Sequence, residues 1–268
     1  MTQEAKIRRA KALLKTIESD YAPAVFANSL GAEDMVLTDL IARGFPGIEI
    51  FSLDTGRLPE QTYKLMNEVK ARYGIALKVY FPQAAAVEEY VAVYGPNGFY
   101  DSVELRKRCC HMRKVEPLKR ALHGKRAWIT GLRREQSVTR NALQESEFDT
   151  ANGLQKFSPL ADWTRKDVWA YIREHDIPYN SLHDQGYASI GCAPCTRAIT
   201  VGEDERAGRW WWEHPENKEC GLHLKGRPVP AKLVPECLDR GAGNQDRGSR
   251  LASSEDETSD KRERVEHA

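Results

Sequence analysis

Six cysteines carry the clearest chemical signal in the sequence, and four of them form two close pairs. Cys192 and Cys195 flank Ala-Pro in a turn that lets two thiolates converge on one metal or cluster. Cys109 and Cys110 are adjacent, and neighbouring side chains on a helix point about 100° apart, so one centre can use both only where the backbone is distorted. Four thiolates fit structural zinc or an iron-sulfur cluster, and the tandem pair favours the cluster. A redox disulfide, or cysteines that only pack, remain alternatives.

Cys220 is a candidate nucleophile within residues 219–223, Glu-Cys-Gly-Leu-His. Only a thiolate is a strong nucleophile, and the nearby Glu213, Glu216 and Glu219 would raise the thiol pKa unless cationic groups meet it in the fold. A spare surface thiol is the alternative interpretation, and Cys237 fits that alternative better.

The charge is strongly uneven along the chain. The 268 residues have a formal charge of +1, yet residues 104–140 hold twelve Lys and Arg against three acids, which is +9. Such a block indicates an anionic partner, either nucleic acid or a small phosphorylated ligand, unless it is a solvated helix face.

Three further stretches suit anion binding. Residues 28–34 follow a predicted strand and open a predicted helix, where backbone N–H groups and the helix dipole favour phosphate. Residues 54–57, Asp-Thr-Gly-Arg, follow the next strand, where ligands of open α/β sheets commonly lie. Arg206 and Arg209 are three apart on a helix predicted over 203–212, so they share a face, and the Trp residues at 210–212 would pack.

Short apolar runs alternate with helical patterns along roughly the first 180 residues. The runs predict strands at 24–27, 48–53, 76–81 and 127–130. Helical spacing predicts helices at 5–17, 34–42, 59–73, 87–94 and 117–124, and one more after a Thr164–Asp167 capping box. This alternation predicts a single α/β domain with a twisted, mainly parallel sheet flanked by helices.

Composition limits the class of protein further. The chain is 41% hydrophobic with no run of eighteen apolar residues, which excludes a membrane span. Its start lacks the pattern of a secretory signal, so we expect a cytoplasmic location, where cysteines serve metals or catalysis. Residues 239–268 are mostly small or charged, and we expect them to be disordered.

Taken together, seven motifs resemble the assimilatory sulfonucleotide reductases, and within them the iron-sulfur-containing adenosine 5'-phosphosulfate (APS) reductases. The motifs are Ser-Leu-Gly-Ala-Glu-Asp at 29–34, Leu-Asp-Thr-Gly-Arg at 53–57, Lys-Arg-Cys-Cys-His-Met-Arg-Lys-Val-Glu-Pro-Leu at 107–118, Gly-Leu-Arg-Arg-Glu-Gln-Ser at 131–137, Gly-Cys-Ala-Pro-Cys at 191–195, Glu-Asp-Glu-Arg-Ala-Gly-Arg-Trp-Trp-Trp-Glu at 203–213 and Glu-Cys-Gly-Leu-His at 219–223. The family's other branch, which prefers the 3'-phosphorylated substrate PAPS, generally lacks both cysteine pairs, so the resemblance favours APS.

The resemblance implies a role for each matching residue. It makes Cys109, Cys110, Cys192 and Cys195 the ligands of one [4Fe-4S] cluster, and Cys220 the nucleophile on a mobile C-terminal segment. It places Lys114, Arg206, Arg209 and His223 at the phosphosulfate, Gly131 and Arg140 at further substrate contacts, and Ser29, Gly31 and Leu53 at the adenosine end.

The resemblance also implies the fold and the reaction. The fold is that of the adenine nucleotide alpha-hydrolases and ATP-pyrophosphatases, with the domain at 1–202, an active-site segment at 203–238 and the tail at 239–268. The Cys220 thiolate attacks the sulfuryl sulfur, AMP leaves, and thioredoxin or a similar dithiol releases sulfite from the S-sulfocysteine, in sulfate assimilation and cysteine biosynthesis. We expect a homo-oligomer, a small-anion site in the basic block, and neither nucleic acid nor membrane as a partner.

Two other classes remain as alternatives besides PAPS reduction. A cluster-containing ATP-pyrophosphatase for tRNA thiolation would explain the basic block, but it predicts an intact Ser-Gly-Gly-X-Asp-Ser loop, which is absent. A zinc-stabilised nucleic-acid-binding module would use the four cysteines and the +9 segment. Iron with acid-labile sulfide supports the reductase, whereas zinc alone supports the module.

Overall fold

The computed structural model describes residues 1–75, 77–137, 140–214, 218 and 221–222. All of these residues belong to one compact unit. The predicted tail at 239–268 lies outside the described residues, as do Cys220, His223 and Cys237.

The helices follow the predicted helical patterns, with one addition. They are α1 (Gln3–Asp20), α2 (Ala32–Gly44), α3 (Glu60–Tyr73), α4 (Ala84–Tyr94), α5 (Val103–Cys110), α6 (Glu116–Leu122) and α7 (Arg165–Glu174). The predicted capping box of α7 is present, since the Thr164 side chain accepts from the Asp167 N–H and the Asp167 side chain accepts from the Thr164 N–H. No helix in the described part of the chain combines the length and apolar character needed to cross a bilayer.

A wide helical turn joins α5 to α6. Residues His111–Val115 form a π-helical turn, so a nearly continuous helical rod runs from Val103 to Leu122. The helix predicted from 117 is therefore the last part of a longer rod. The π turn begins directly after Cys110. The helix is therefore irregular beside the cysteine pair, where one centre could use both cysteines only if the backbone is distorted.

Within the described residues, six strands form one sheet in the order β3-β2-β1-β4-β6-β5. The strands are β1 (Ala24–Ala27), β2 (Glu49–Leu53), β3 (Lys78–Tyr80), β4 (Ala127–Ile129), β5 (Ser146–Asp149) and β6 (Leu154–Phe157). All neighbouring pairs are parallel except β5 with β6, which pair antiparallel at one edge. The predicted α/β fold with a mainly parallel sheet is confirmed, and β5 and β6 are additions to the four predicted strands.

Strand order places a ligand crevice at the centre of this sheet. After β1 the chain builds β2 and β3 on one side, and then returns to place β4 on the other side of β1. Ligands of open α/β sheets bind at the carboxyl ends of the strands where the order reverses in this way. A buried apolar core holds these strands against the helices, including Leu14 and Ile17 of α1 and Val36 of α2. The residues that follow β1, β2 and β4 are therefore fixed relative to one another.

Candidate active site

A cavity of about 220 Å³ opens at the carboxyl ends of β1, β2 and β4. Its lining includes eight of the predicted substrate contacts: Ser29, Gly31, Leu53, Lys114, Gly131, Arg140, Arg206 and Arg209. Leu222, two residues after Cys220, also lines this cavity. The structure thus brings four cationic side chains and one end of the Cys220 motif to a single cavity.

The loop after β1 uses several of its polar groups internally. The Ser29 N–H and hydroxyl both donate to Asp34 Oδ2 at 2.6 Å, and the Leu30 N–H donates to Asn28 Oδ1 at 2.7 Å. Leu30 takes a positive φ of 63°, which turns the chain into the Gly31 N-cap of α2. Two of the N–H groups expected to hold phosphate are therefore satisfied within the loop.

Gly131 and Asp34 approach each other more closely than a side chain at position 131 would allow. A Cβ there would lie 2.0 Å from Asp34 Oδ1, and the Gly131 N–H hydrogen-bonds to the Asp34 carboxyl. Burial raises the pKa of Asp34 to about 7 despite the hydrogen bonds from Ser29, with Glu33 adding to the rise. This contact joins the first loop to the loop after β4 in the cavity wall.

Arg206 and Arg209 do not lie on a helix, contrary to the sequence prediction. Residues 203–212 form a series of turns, with Trp210 at a positive φ of 42° and an isolated bridge between Thr196 and Arg209. Both arginines still line the cavity because the turns, and not a helix face, direct them there. Trp210 is buried as predicted, whereas Trp211 is 40% exposed.

Arg209 is held against glycine on one side and an aromatic ring on the other. A Cβ at Gly191 would lie 2.4 Å from Arg209 Nη2, so only glycine leaves room for the guanidinium. The guanidinium carbon of Arg209 lies 4.7 Å from the Trp210 ring centroid, a cation–π contact. Gly191 directly precedes Cys192, so the Cys-X-X-Cys turn and the cationic site are built together.

The four paired cysteines are buried in one group around a second, smaller cavity. Cys109 and Cys110 end α5, while Cys192 and Cys195 lie at a short 3-10 turn, Ala193–Cys195. Phe99, Trp210 and the cationic Arg106, Arg113 and Lys114 complete the lining of this cavity. Lys114 lies in the π turn and lines both cavities. The four paired thiols therefore lie around one small cavity, and Lys114 lies between that cavity and the larger one.

The thiols surround a space and do not meet at one point. Among the residues that the structure describes, no three His, Cys, Asp or Glu side chains form a group that could hold a metal ion. A multi-atom cluster needs its thiolate ligands spread around it, and its negative charge is offset by nearby cations. The set of four thiols and the three basic side chains around it fit a four-cysteine cluster.

The two thiols of the Cys-X-X-Cys turn differ in acidity. Burial raises the pKa of Cys192, but the Lys114 ammonium, a 3.2 Å hydrogen bond with Thr55 Oγ1 and the Arg209 guanidinium outweigh it, so that pKa lies below its usual value. Burial and the neighbouring Cys192 raise the pKa of Cys195 to about 12. The thiolate form is thus favoured at Cys192 over Cys195.

A buried arginine network beside the cavity was not predicted from the sequence. Arg133 is fully buried and forms ion pairs with Glu33, Glu135 and Glu205. Burial raises the pKa of Glu205, and repulsion by Glu33 adds to the rise, although the Arg133 guanidinium at 3.1 and 3.3 Å opposes it. Burial would also raise the pKa of Glu33, but the closer guanidinium outweighs it and lowers that pKa. The sequence shows only that Arg133 is one of many basic residues in its segment.

Comparison with known proteins assigns the family. The profile of the phosphoadenosine phosphosulfate reductase domain matches residues 23–198, which is more than half of the chain. The chain belongs to the phosphoadenosine phosphosulfate reductase domain family. Among the relatives of this reductase-family chain, an adenosine 5'-phosphosulfate reductase of Allochromatium vinosum is 61% identical over 80% of this chain and 83% of its own length. One of Burkholderia cepacia is 56% identical over 85% and 91%.

Solved structures agree with the family's fold. A phosphoadenylyl-sulfate (PAPS) reductase of Candida auris, in a phosphate complex, is similar with a TM-score of 0.62 and 28% identity, covering 74% of this chain and 98% of that one. An FMN adenylyltransferase of Candida glabrata has a TM-score of 0.50 at 17% identity, covering 85% and 80%, and shares the fold alone. This reductase-family chain therefore shares the fold of a solved reductase of its own family, as the resemblance implied.

Proposed function

We propose that this protein reduces adenosine 5'-phosphosulfate to sulfite and AMP, with a dithiol protein such as thioredoxin as the reductant. The observation that carries the proposal is the cavity lined by Lys114, Arg206 and Arg209 together with Leu222, two residues after Cys220. A phosphosulfate needs several cations around it, and a nucleophilic thiol must reach its sulfur. The relatives at 61% and 56% identity, both named as reductases of this substrate, support the same activity.

The first step is attack of the Cys220 thiolate on the sulfuryl sulfur. The new Sγ–S bond forms as the bond from sulfur to the bridging phosphate oxygen breaks, and AMP leaves with that electron pair. Lys114, Arg206, Arg209 and His223 would hold the phosphosulfate oxygens, where charge develops as the bond breaks. The same cations would lower the pKa of Cys220 and so supply its thiolate.

The second step regenerates the thiol. One thiolate of the reductant attacks Cys220 Sγ, sulfite leaves, and the second thiol of the reductant resolves the mixed disulfide. The dithiol is thereby oxidised to a disulfide and the sulfuryl sulfur is reduced by two electrons. Because thiols supply both electrons, the reaction proceeds without electron transfer from a metal centre. A dithiol reductant and free cysteines favour the reducing cytoplasm as the location.

The adenosine end would lie against the loops after β1 and β2. Ser29, Gly31 and Leu53 line that side of the cavity, and Gly131 and Arg140 line the side that follows β4. Because Gly131 has no side chain, its backbone can lie directly against Asp34 in this wall of the cavity. These loops would orient the nucleotide so that its sulfuryl group faces the segment that carries Cys220.

Cys109, Cys110, Cys192 and Cys195 would hold one [4Fe-4S] cluster. When bound, it would supply structural support and an electrostatic field to the neighbouring substrate site. Lys114 lines both cavities and would be the side chain that couples the two. Metal analysis after anaerobic purification tests the cluster assignment. About four iron atoms with acid-labile sulfide are expected per chain, and zinc alone would contradict the cluster.

A sulfite-release assay tests the function. Wild-type protein with APS and thioredoxin should release sulfite faster than with PAPS, and a preference for PAPS would reassign the substrate within the family. Cys220→Ser should reduce sulfite release to background, with Cys237→Ser as the matched control that retains it. Without thioredoxin, mass spectrometry should find a sulfite-sized adduct on the Cys220 peptide. Sulfite release by Cys220→Ser at the wild-type rate would disprove the nucleophile.

A further inference from the structure

Arg133 lies at the meeting point of the three stretches that line the nucleotide cavity. Its side chain is fully buried in the loop after β4. Nε donates to Glu33 Oε1 at 2.8 Å, Nη1 to Glu135 Oε2 at 3.1 Å, and Nη2 to Glu205 Oε1 at 3.1 Å. One guanidinium thus binds three carboxylates, which uses the forked geometry that only arginine offers.

Two arms of this network, through Glu33 and Glu205, lead to residues of the proposed substrate site, whereas Glu135 accepts from the Arg165 N–H at the start of α7. Glu33 lies in the first turn of α2, two residues after Gly31 of the adenosine side. Glu205 lies in the turns that direct Arg206 into the cavity, where the Ala207 N–H donates to the Asp204 carbonyl and the Arg209 N–H to the Arg206 carbonyl. Fixing Glu205 therefore fixes the backbone from which Arg206 extends.

A further connection runs from Glu33 through Gln136 to Arg140. Gln136 Oε1 accepts from the Arg133 N–H at 3.2 Å and from Arg140 Nη1 at 2.5 Å, and its side chain also hydrogen-bonds to Glu33. Arg140 lines the cavity together with Gln136, Glu33 and Glu205. The loop after β4 is therefore tied to the first loop by the same group that holds the C-terminal turns.

We propose that Arg133 is a positioning residue for nucleotide binding, which sets Arg206 through Glu205 and Arg140 through Gln136 and Glu33. Without its charge, Glu33 and Glu205 would repel each other in the wall of a cavity that must accept an anion. The inference rests on the proposed function only in taking the ligand to be an adenine nucleotide. Its role differs from simple stabilisation because it predicts a change in ligand affinity in protein that remains folded.

AMP binding measured by calorimetry tests the inference on the full chain. Arg133→Lys keeps a positive charge but cannot bridge three carboxylates, and its Kd for AMP should rise at least about tenfold, the loss of one or more charge-assisted hydrogen bonds. Glu205→Gln, a milder change, should raise the Kd at least about threefold, and the KM for APS should rise with it. Lys6→Gln is the matched control, because it removes the Lys6–Asp167 ion pair between α1 and α7, away from the cavity.

The outcomes separate the two proposals. If Arg133→Lys and Glu205→Gln both bind AMP within about twofold of the wild type, Arg133 has only a structural role and the inference is overturned. A control variant that loses AMP affinity as much as they do would overturn it too. A wild type that binds AMP but releases no sulfite would refute the proposed function and leave the Arg133 result standing. A wild type that binds no AMP would overturn both.

Discussion

Arg106 and Glu213 form a buried two-point ion pair, with Nε–Oε1 and Nη2–Oε2 distances of 2.9 and 2.7 Å. Arg106 lies on α5, three residues before Cys109, and its guanidinium carbon is 4.7 Å from the Trp210 ring centroid. Glu213 lies seven residues before Cys220. The ion pair therefore links the residues before Cys220, the proposed nucleophile, to α5, which carries the proposed cluster ligands Cys109 and Cys110.

Glu213→Gln should destabilise the protein by about 3 kcal/mol, because it leaves the Arg106 charge buried without its partner. Urea unfolding measures the loss. Glu203→Gln is the control, because the Arg197–Glu203 pair has both side chains about a third exposed, at 38% and 30%, and should contribute much less. Equal losses for the two variants would contradict the argument from burial.

Lys114→Gln should raise the KM for APS by roughly tenfold or more, because it removes a charge from the wall of the cavity. The same change should raise the pKa of Cys192, which the Lys114 ammonium lowers. Steady-state kinetics with APS measure the first effect. Lys119→Gln, on the exposed face of α6, is the control, and an equal rise in KM there would indicate a general loss of positive charge instead.

Gly131→Ala should weaken AMP binding and destabilise the fold by about 1–3 kcal/mol, because its Cβ would meet Asp34 Oδ1 at 2.0 Å. The loop after β4 would have to move away from α2. Gly44→Ala, at the other end of α2, has nothing within 4 Å of its added Cβ and should leave AMP binding unchanged without destabilising the fold. Calorimetry with AMP and urea unfolding would distinguish the two variants. Unaltered AMP binding by Gly131→Ala would contradict the predicted displacement.

The stability of the wild type relative to Asp34→Asn should fall as pH rises from 5 to about 7. Burial raises the Asp34 pKa from an ordinary 3.8 to about 7, with Glu33 adding to the rise, so in this range the folded protein binds a proton that the unfolded chain has released. Each step up in pH then favours unfolding, and the effect ends once both states have lost the proton. Urea unfolding of both proteins at several pH values measures the difference. A difference that stays constant would contradict the raised pKa.

The sequence predicts the centre of the fold better than its edge. The strands β1, β2 and β4 are recognisable because they are short, buried apolar runs in the middle of the sheet, and β3 at one edge is recognisable from a similar run at 76–81. The strands β5 (Ser146–Asp149) and β6 (Leu154–Phe157) were missed because polar residues dominate them. Lys156 is buried in β6, where it pairs with Glu147 across the antiparallel edge and lies over the Trp128 ring, and no local pattern shows these long-range contacts.

The sequence predicted which residues line the cavity, but not the backbone structure that places them there. The residues predicted to contact substrate that the structure describes all line the cavity, yet the expected helix at 203–212 is a series of turns with Trp210 in the left-handed region. Spacing of three residues fits either geometry. Arg133 was missed because a buried arginine and an exposed one look alike in a basic stretch, and only tertiary packing distinguishes them.

The π turn at His111–Val115 makes the length of this motif as important as its composition. Five residues separate Cys110 from Glu116, and each residue of an α-helix advances the direction of the chain by about 100°. Deleting one residue from the turn would rotate α6, and much of the turn itself, around the helix axis relative to the cysteine pair. A deletion between Cys110 and Lys114 would therefore aim Lys114 away from one of its two cavities. An insertion or deletion within the turn changes the site as much as a substitution at one of its residues.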